Sequence, residues 1–257
     1  MSDPRPLAGI NALITRPAHQ AENLCVLIER KGGATSRLPL FAVEPLSNRE
    51  ERAQMLVNAR ACDAWIFTSA NAVRQALRLD PMVKKWPKLL ATAGAATAAA
   101  LSDAGRGDGR IPALRDGAAG LLAMREFEQC KGRRILIITG DDTLPDLASG
   151  LRERGARVEL LPVYRRVMVK HPTARVDAAI RAADVILISS GESLQRLARA
   201  ASFASGLASK QLAVPSARVV EHARTLGFLH APLLPARVTD AAFVEVLEHW
   251  WRDHPAD

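Results

Sequence analysis

Residues 63–77 read DAWIFTSANAVRQAL and residues 184–198 read DVILISSGESLQRLA. Each copy opens with an acid, runs through four apolar residues and reaches a hydroxyl pair, Thr68-Ser69 or Ser189-Ser190. Beyond the pair the apolar spacing changes. Val73, Ala76 and Leu77 fall at helical spacing, as do Leu194, Leu197 and Ala198. A short buried strand that gives way to a helix across a small polar turn is the building unit of an α/β sheet. The turn sits at the strand's carboxyl end, where open α/β sheets bind ligands beside helix N-termini. Two copies predict two ligand-facing edges in one chain.

Working outward, residues 134–163 repeat the pattern of residues 11–40: apolar strand, Thr, polar turn, helix, Gly-Ala, strand, Leu-Pro. LLATAGAATAAALSDAG (89–105) likewise matches QLAVPSARVVEHARTLG (211–227). Matched segments in the same order mark an internal duplication, with units too few and too long for a solenoid. Two similar α/β domains of roughly 120 residues are expected. Taken alone, the duplication divides the chain near residue 130. INALIT (10–15) reads as a strand, with Thr15 as cap and Pro17 in the first turn of the next helix. Gly32-Gly33 end that helix. ATSRLPLFAVEPL (34–46) reads as a long strand, but Pro39 and Pro45 keep it from being central throughout, so part of it serves as a linker.

The chain has 257 residues, 48% of them hydrophobic and 24% charged, which suits a folded globular protein. No secretion signal and no bilayer-spanning tract is expected. Cys25, Cys62 and Cys130 have no pairing or metal spacing, which predicts reduced thiols in the cytoplasm. The net charge of +8 points to an anionic partner. Four Trp, one Tyr and six Phe are too few for a base-stacking platform, so nucleic acid is not the expected one.

No GxGxxG follows a strand, and GxxxxGK[ST] and GxSxG are absent. The six histidines show no ligand spacing. Asp141-Asp142 could hold Mg²⁺ or act as an acid/base pair, though helix capping is the simpler reading. Tyr164, the only tyrosine, ends a long strand. It could be a core or hinge residue, or a phenol that donates a proton or hydrogen bond. More informative are the strand-to-helix turns at Thr15-Arg16, Thr68-Ser69-Ala70-Asn71, Gly94 to Thr97, Gly140-Asp141, Ser189-Ser190-Gly191 and Pro215-Ser216. Their hydroxyls and backbone amides can bind carboxylates without a charged side chain at each turn.

Laid end to end, these pieces resemble the uroporphyrinogen-III synthase family. The similarity runs through LITRPAHQAENL, IFTSANAVRQAL, GAATAAAL, DGAAGLLA, LRERGARVELLPVYRR, ISSGESLQRL and PSARVVEHARTLGF. The resemblance implies two doubly wound parallel-sheet α/β domains of flavodoxin or Rossmann type, joined by a two-stranded linker. One domain combines residues 1–38 with 167–257 and the other spans 42–162. The crossing strands fall near 37–43 and 161–167, and a cleft between the domains is the implied ligand site.

It also implies a hydro-lyase of tetrapyrrole (haem-type) biosynthesis that cyclises hydroxymethylbilane, a linear polycarboxylate, to uroporphyrinogen III. Water is lost and ring D is inverted through a spiro intermediate; unassisted closure gives the type I isomer. No metal or organic cofactor is implied, and a cytoplasmic monomer free of membrane is expected. A non-catalytic two-domain α/β paralogue that binds a tetrapyrrole or another polyanion is the alternative. Tyr164 matches the tyrosine suited to assist the leaving hydroxyl, and Thr97 matches a threonine of the cleft. Thr68, Ser69, Asn71, Ser189, Ser190 and Ser216 are implied contacts for carboxylates or the substrate backbone. Thr15, Arg16, Gly94, Gly140 and Gly191 complete the substrate-facing turns. The chain departs from the family at Leu144-Pro145, where many relatives have Gly-Arg, and at Val214 to Arg218, where many have Gly-Pro-Thr-Thr. Ser216 or Arg218 is the expected substitute at the second.

Overall fold

The apolar runs that open each repeat form strands, and the segments after them form helices. The computed structural model describes residues 5–80, 86–112, 117–142 and 145–254. The chain begins with β1 (Asn11–Ile14), α1 (Ala18–Arg30), β2 (Ala34–Arg37) and β3 (Phe41–Pro45). Then come α2 (Arg49–Asn58), β4 (Ala64–Phe67), α3 (Ala70–Leu79), β5 (Leu89–Thr92), α4 (Ala95–Asp103) and α5 (Gly117–Leu122). A second strand-helix-strand run follows: β6 (Arg134–Gly140), α6 (Pro145–Glu153) and β7 (Arg157–Met168). The chain closes with α7 (Thr173–Ala182), β8 (Val185–Leu187), α8 (Gly191–Ala200), β9 (Gln211–Ala213), α9 (Ala217–Thr225) and α10 (Asp240–Asp253).

One sheet has the order β2-β1-β8-β9 and the other β3-β7-β6-β4-β5. The duplication is visible in these orders. β1 pairs parallel with β2 and β8, as β6 pairs parallel with β7 and β4. β9 extends one sheet beside β8, and β5 the other beside β4. β3 is the addition. Leu40 O accepts from Val169 N at 3.1 Å and Glu44 pairs with Arg165, so residue numbers on β3 and β7 run in opposite directions.

Two compact units result, one of Met1–Ala42 with Val167–Asp257 and one of Val43–Arg166. Both chain passages between them lie inside strands, in β3 and in β7. The run β1-α1-β2 therefore shares a unit with β8 and β9, not with β4 and β5, which follow it in sequence. The division near residue 130 suggested by duplication alone is thus corrected. The cause is local: Leu38, Leu40 and Phe41 are buried in the core of the first unit, and the extended chain then runs straight on through β3. What reads as one long strand over 34–46 is two strands interrupted at Leu38–Leu40, where Pro39 O lies 2.8 Å from the His171 ring nitrogen Nε2.

Helices cover both faces of each sheet, which is why the strands are apolar at successive positions. In the first unit Leu13, Ile186 and Leu212 pack with α7, α8 and α9 through Val176, Ile180, Leu194, Leu197 and Val219. Their strand neighbours Ala12, Ile14, Val185, Leu187 and Ala213 pack with α1 and α10. In the second unit Trp65, Phe67, Leu90, Leu136 and Ile138 face α2, α3 and α4, while Ala64, Ile66, Ala91, Ile135 and Ile137 face α5 and α6. Gly33 is required by close packing: a Cβ there would lie 2.7 Å from Ile28 Cγ2 and 2.8 Å from Ile10 Cγ2. All three cysteines are buried and unpaired. Among the described residues no helix is long and apolar enough to cross a membrane.

Candidate active site

In the unit Val43–Arg166, the carboxyl ends of β4 and β6 and the adjoining part of β7 bring several of the expected residues together. Thr68 follows β4 directly, and its hydroxyl donates to Thr139 Oγ1 at 3.0 Å. Ser69 is the N-cap of α3: its Oγ accepts from Ala72 N at 3.1 Å and lies 3.0 Å from the Tyr164 hydroxyl. Asn71 follows in the first turn, half-buried.

Tyr164 reaches Ser69 because β7 is irregular. Thr139 is paired with Pro162, but Gly140 is paired with Tyr164, so one residue of β7 is extra at this point. Such a bulge re-aims the side chains beyond it. Leu161 and Val163 face the α2-α3-α4 side, and strict alternation would send Tyr164 to the opposite face with Leu160. Instead Tyr164 packs on the same side as Val163.

The ring lies against Gly140, where a Cβ would come within 3.0 Å of Tyr164 Cζ and 2.7 Å of Asp142 Oδ1. The residue is 6% exposed. Burial pushes the phenol above its ordinary range; the hydrogen bond with Ser69 pulls it down, Asp142 pushes it up and Arg166 offsets that. Asp142 spends its carboxylate on Arg166 at 3.0 Å. Gly140→Ala should therefore displace the phenol ring and destabilise this unit by about 1–3 kcal/mol. Urea unfolding checks this, and an unchanged midpoint would contradict it.

Nearby, Gly94 precedes α4 with an extended φ of 171°, and its carbonyl accepts from Thr97 N at 3.1 Å. Thr97 itself is 5% exposed. Leu144, at the first departure from the family pattern, lies outside the described residues; Pro145 opens α6.

The other unit repeats the arrangement. Ser190 begins α8, its Oγ accepting from Ser193 N at 3.1 Å, and Ser189 and Ser190 each lie 3.0 Å from Ser193 Oγ. A Cβ on Gly191 would sit 3.1 Å from His222 Nδ1. Ser216 precedes α9 but does not cap it through its side chain, and it and Arg218 are exposed.

One residue differs from expectation in its local role. Thr15 does not cap α1, whose N-cap is Pro17. Its hydroxyl donates to Leu187 O at 2.8 Å and it is fully buried, because the chain is still in the sheet there. Arg16 is held within its own unit, paired with Asp240 at 2.5 Å and stacked 5.0 Å from the Phe243 ring centroid. Among the described residues no three metal-ligating side chains converge.

The family described as "Uroporphyrinogen-III synthase HemD" matches residues 22–245. The chain belongs to the uroporphyrinogen-III synthase family. It is 28% identical to the uroporphyrinogen-III synthase of Escherichia coli over 193 residues, covering 73% of this chain and 78% of that one. With the Salmonella typhimurium enzyme it shares 30% over 196 residues, at the same coverage of 73% and 78%. The fold agrees. A uroporphyrinogen III synthase mutant from Thermus thermophilus superimposes with a TM-score of 0.62 at 17% identity, covering 96% of this chain and 100% of that one. The Helicobacter pylori enzyme gives 0.57 at 14% identity, with coverage of 94% and 99%.

Three groups beside these turns are not among the residues expected from the sequence. Arg166 stands two residues after Tyr164 on β7, a spacing that could have flagged it. Ser193 is the third hydroxyl that joins Ser189 and Ser190, and it is set at i+3 from the cap. His222, against Gly191, had no local signal, because it comes from α9, beyond β9 in the chain.

Proposed function

We propose that this chain cyclises hydroxymethylbilane to uroporphyrinogen III, with loss of one water and inversion of ring D. It is a cyclising lyase of tetrapyrrole biosynthesis. The observation that carries the reading is the family match across residues 22–245. The geometry adds a buried phenol at the strand ends, among hydroxyls and helix-start amides.

Tyr164 gives its proton to the hydroxymethyl oxygen. The carbon–oxygen bond breaks with its electron pair going to oxygen, and water leaves as the pyrrole nitrogen pair stabilises the azafulvene-type cation. The substituted α carbon of ring D attacks that cation to form the spiro intermediate, which fragments and recloses at the other α carbon of ring D, across its nitrogen. The proton then lost from the ring returns to the phenolate. The protein's main task is positional, holding the chain so that attack at the substituted carbon is favoured over direct closure.

Thr68, Asn71, Gly94, Thr97 and Gly140 in one unit offer hydroxyls or amides to carboxylates, and Ser69 its backbone. Ser189, Ser190, Gly191, Ser216 and Arg218 do so in the other. Thr15 and Arg16 support their turn from within. The enzyme acts as a cytoplasmic monomer on a small-molecule polycarboxylate, without metal, organic cofactor, nucleic acid or membrane. Disappearance of freshly made hydroxymethylbilane tests the reading: it should run well above the spontaneous rate when the protein is added, and an unchanged rate would overturn the assignment.

A further inference from the structure

Ser69 has two hydrogen-bond partners among the described residues. Its Oγ accepts from Ala72 N at 3.1 Å, at the start of the ten-residue helix α3, and lies 3.0 Å from the Tyr164 hydroxyl. A serine hydroxyl has one proton and two acceptor lone pairs. With one lone pair taken by Ala72, either Ser69 donates to Tyr164 or Tyr164 donates to Ser69. In the second arrangement the phenolic proton is already spent.

The helix start favours the first. Partial positive charge at the N-terminus of α3, and the amide that donates to Oγ, polarise the Ser69 O–H bond and make it a better donor. The chain of bonds then runs Ala72 N–H to Ser69 O–H to Tyr164 O–H, each link strengthening the next, with the last proton left to give.

We propose that Ser69 is a positioning residue that donates its hydrogen bond to the Tyr164 oxygen and so leaves the phenolic proton available for the departing hydroxyl. The inference rests on Tyr164 being the acid of the proposed reaction. During transfer the Tyr164 O–H bond breaks, its electron pair stays on the phenolic oxygen, and a new O–H bond forms on the leaving oxygen. The Ser69 proton stays where it is. The Ser69 hydrogen bond becomes charge-assisted as the phenolate develops, so it is stronger in the transition state than in the ground state. This is a different role from a carboxylate contact, which would hold the substrate equally before and during the reaction.

The lone tyrosine makes the test specific, because phenolate absorbance in the intact protein reports Tyr164 and nothing else of its kind. Two variants separate donor from cap. Ser69→Gly removes the hydroxyl but keeps a residue nearly as good at a helix start, and Ser69→Thr keeps the hydroxyl. With melting curves confirming that both are folded, the titration is read without substrate. Ser69→Gly should move the Tyr164 midpoint upward and lower kcat roughly tenfold with KM little changed, and Ser69→Thr should restore both.

A downward or absent shift in Ser69→Gly overturns the proposal, since it would mean that Tyr164 is the donor or that the two are not coupled. An upward shift with unchanged kcat also overturns it. If Tyr164→Phe keeps full turnover, the failure lies instead in the assignment of Tyr164 as the acid, which the substrate-free titration does not depend on.

Discussion

Replacing Tyr164 with phenylalanine should lower kcat about a hundredfold and leave the protein folded. The ring stays in a core formed by Leu161, Val163, Leu136 and Ile138, so packing against Gly140 is kept. What is lost is one hydroxyl and its 3.0 Å hydrogen bond with Ser69, worth about 1 kcal/mol of stability. The phenol holds none of the substrate's carboxylates in the proposed mechanism, so KM should change little. Burial already holds the phenol protonated beyond its ordinary range, which is the state a proton donor needs at neutral pH. Initial rates corrected for spontaneous closure decide the matter: a rate equal to that of the unmodified protein would remove Tyr164 from the chemistry.

Trp65→Ala should destabilise the unit Val43–Arg166 by about 4 kcal/mol. Trp65 is fully buried in β4, its ring 6.3 Å from Phe67 and 5.2 Å from Trp86 between centroids. Its Nε1 donates to Ala59 O at 2.8 Å, so truncation opens a cavity and also strips a partner from a buried carbonyl. Activity should survive at low temperature, because the residue lies below the strand end that carries Thr68 and Ser69. Chemical denaturation followed by tryptophan fluorescence or circular dichroism measures the loss, and a change below about 1 kcal/mol would show that the site relaxes far more than a close-packed core should.

Much of this architecture was legible in the residues. The switch from consecutive apolar residues to helical spacing at Thr68-Ser69 and Ser189-Ser190 located β4-α3 and β8-α8, and both second serines do begin helices. The duplication foretold two similar α/β units. It could not tell which copy of each segment would pair, because both copies carry the same pattern. That choice is made by Leu38, Leu40 and Phe41, whose burial in one core commits the chain before β3 carries it on.

The site was legible in its turns and less so in its side chains. Alternation along β7 would have placed Tyr164 on the wrong face, and only the extra residue opposite Thr139-Gly140 turns it toward Ser69. No local signal encodes that bulge. Thr15 and Arg16 had the right composition for a ligand-facing turn, but their partners, Leu187, Asp240 and Phe243, lie far along the chain.

The most direct measurement is the isomer of the product. Hydroxymethylbilane freshly made by its synthase is supplied to this protein, and the products are oxidised and separated by chromatography. A clear excess of the type III isomer over type I is the predicted result. Type I alone, from folded protein, would contradict the assignment and leave a chain that binds a tetrapyrrole without closing it.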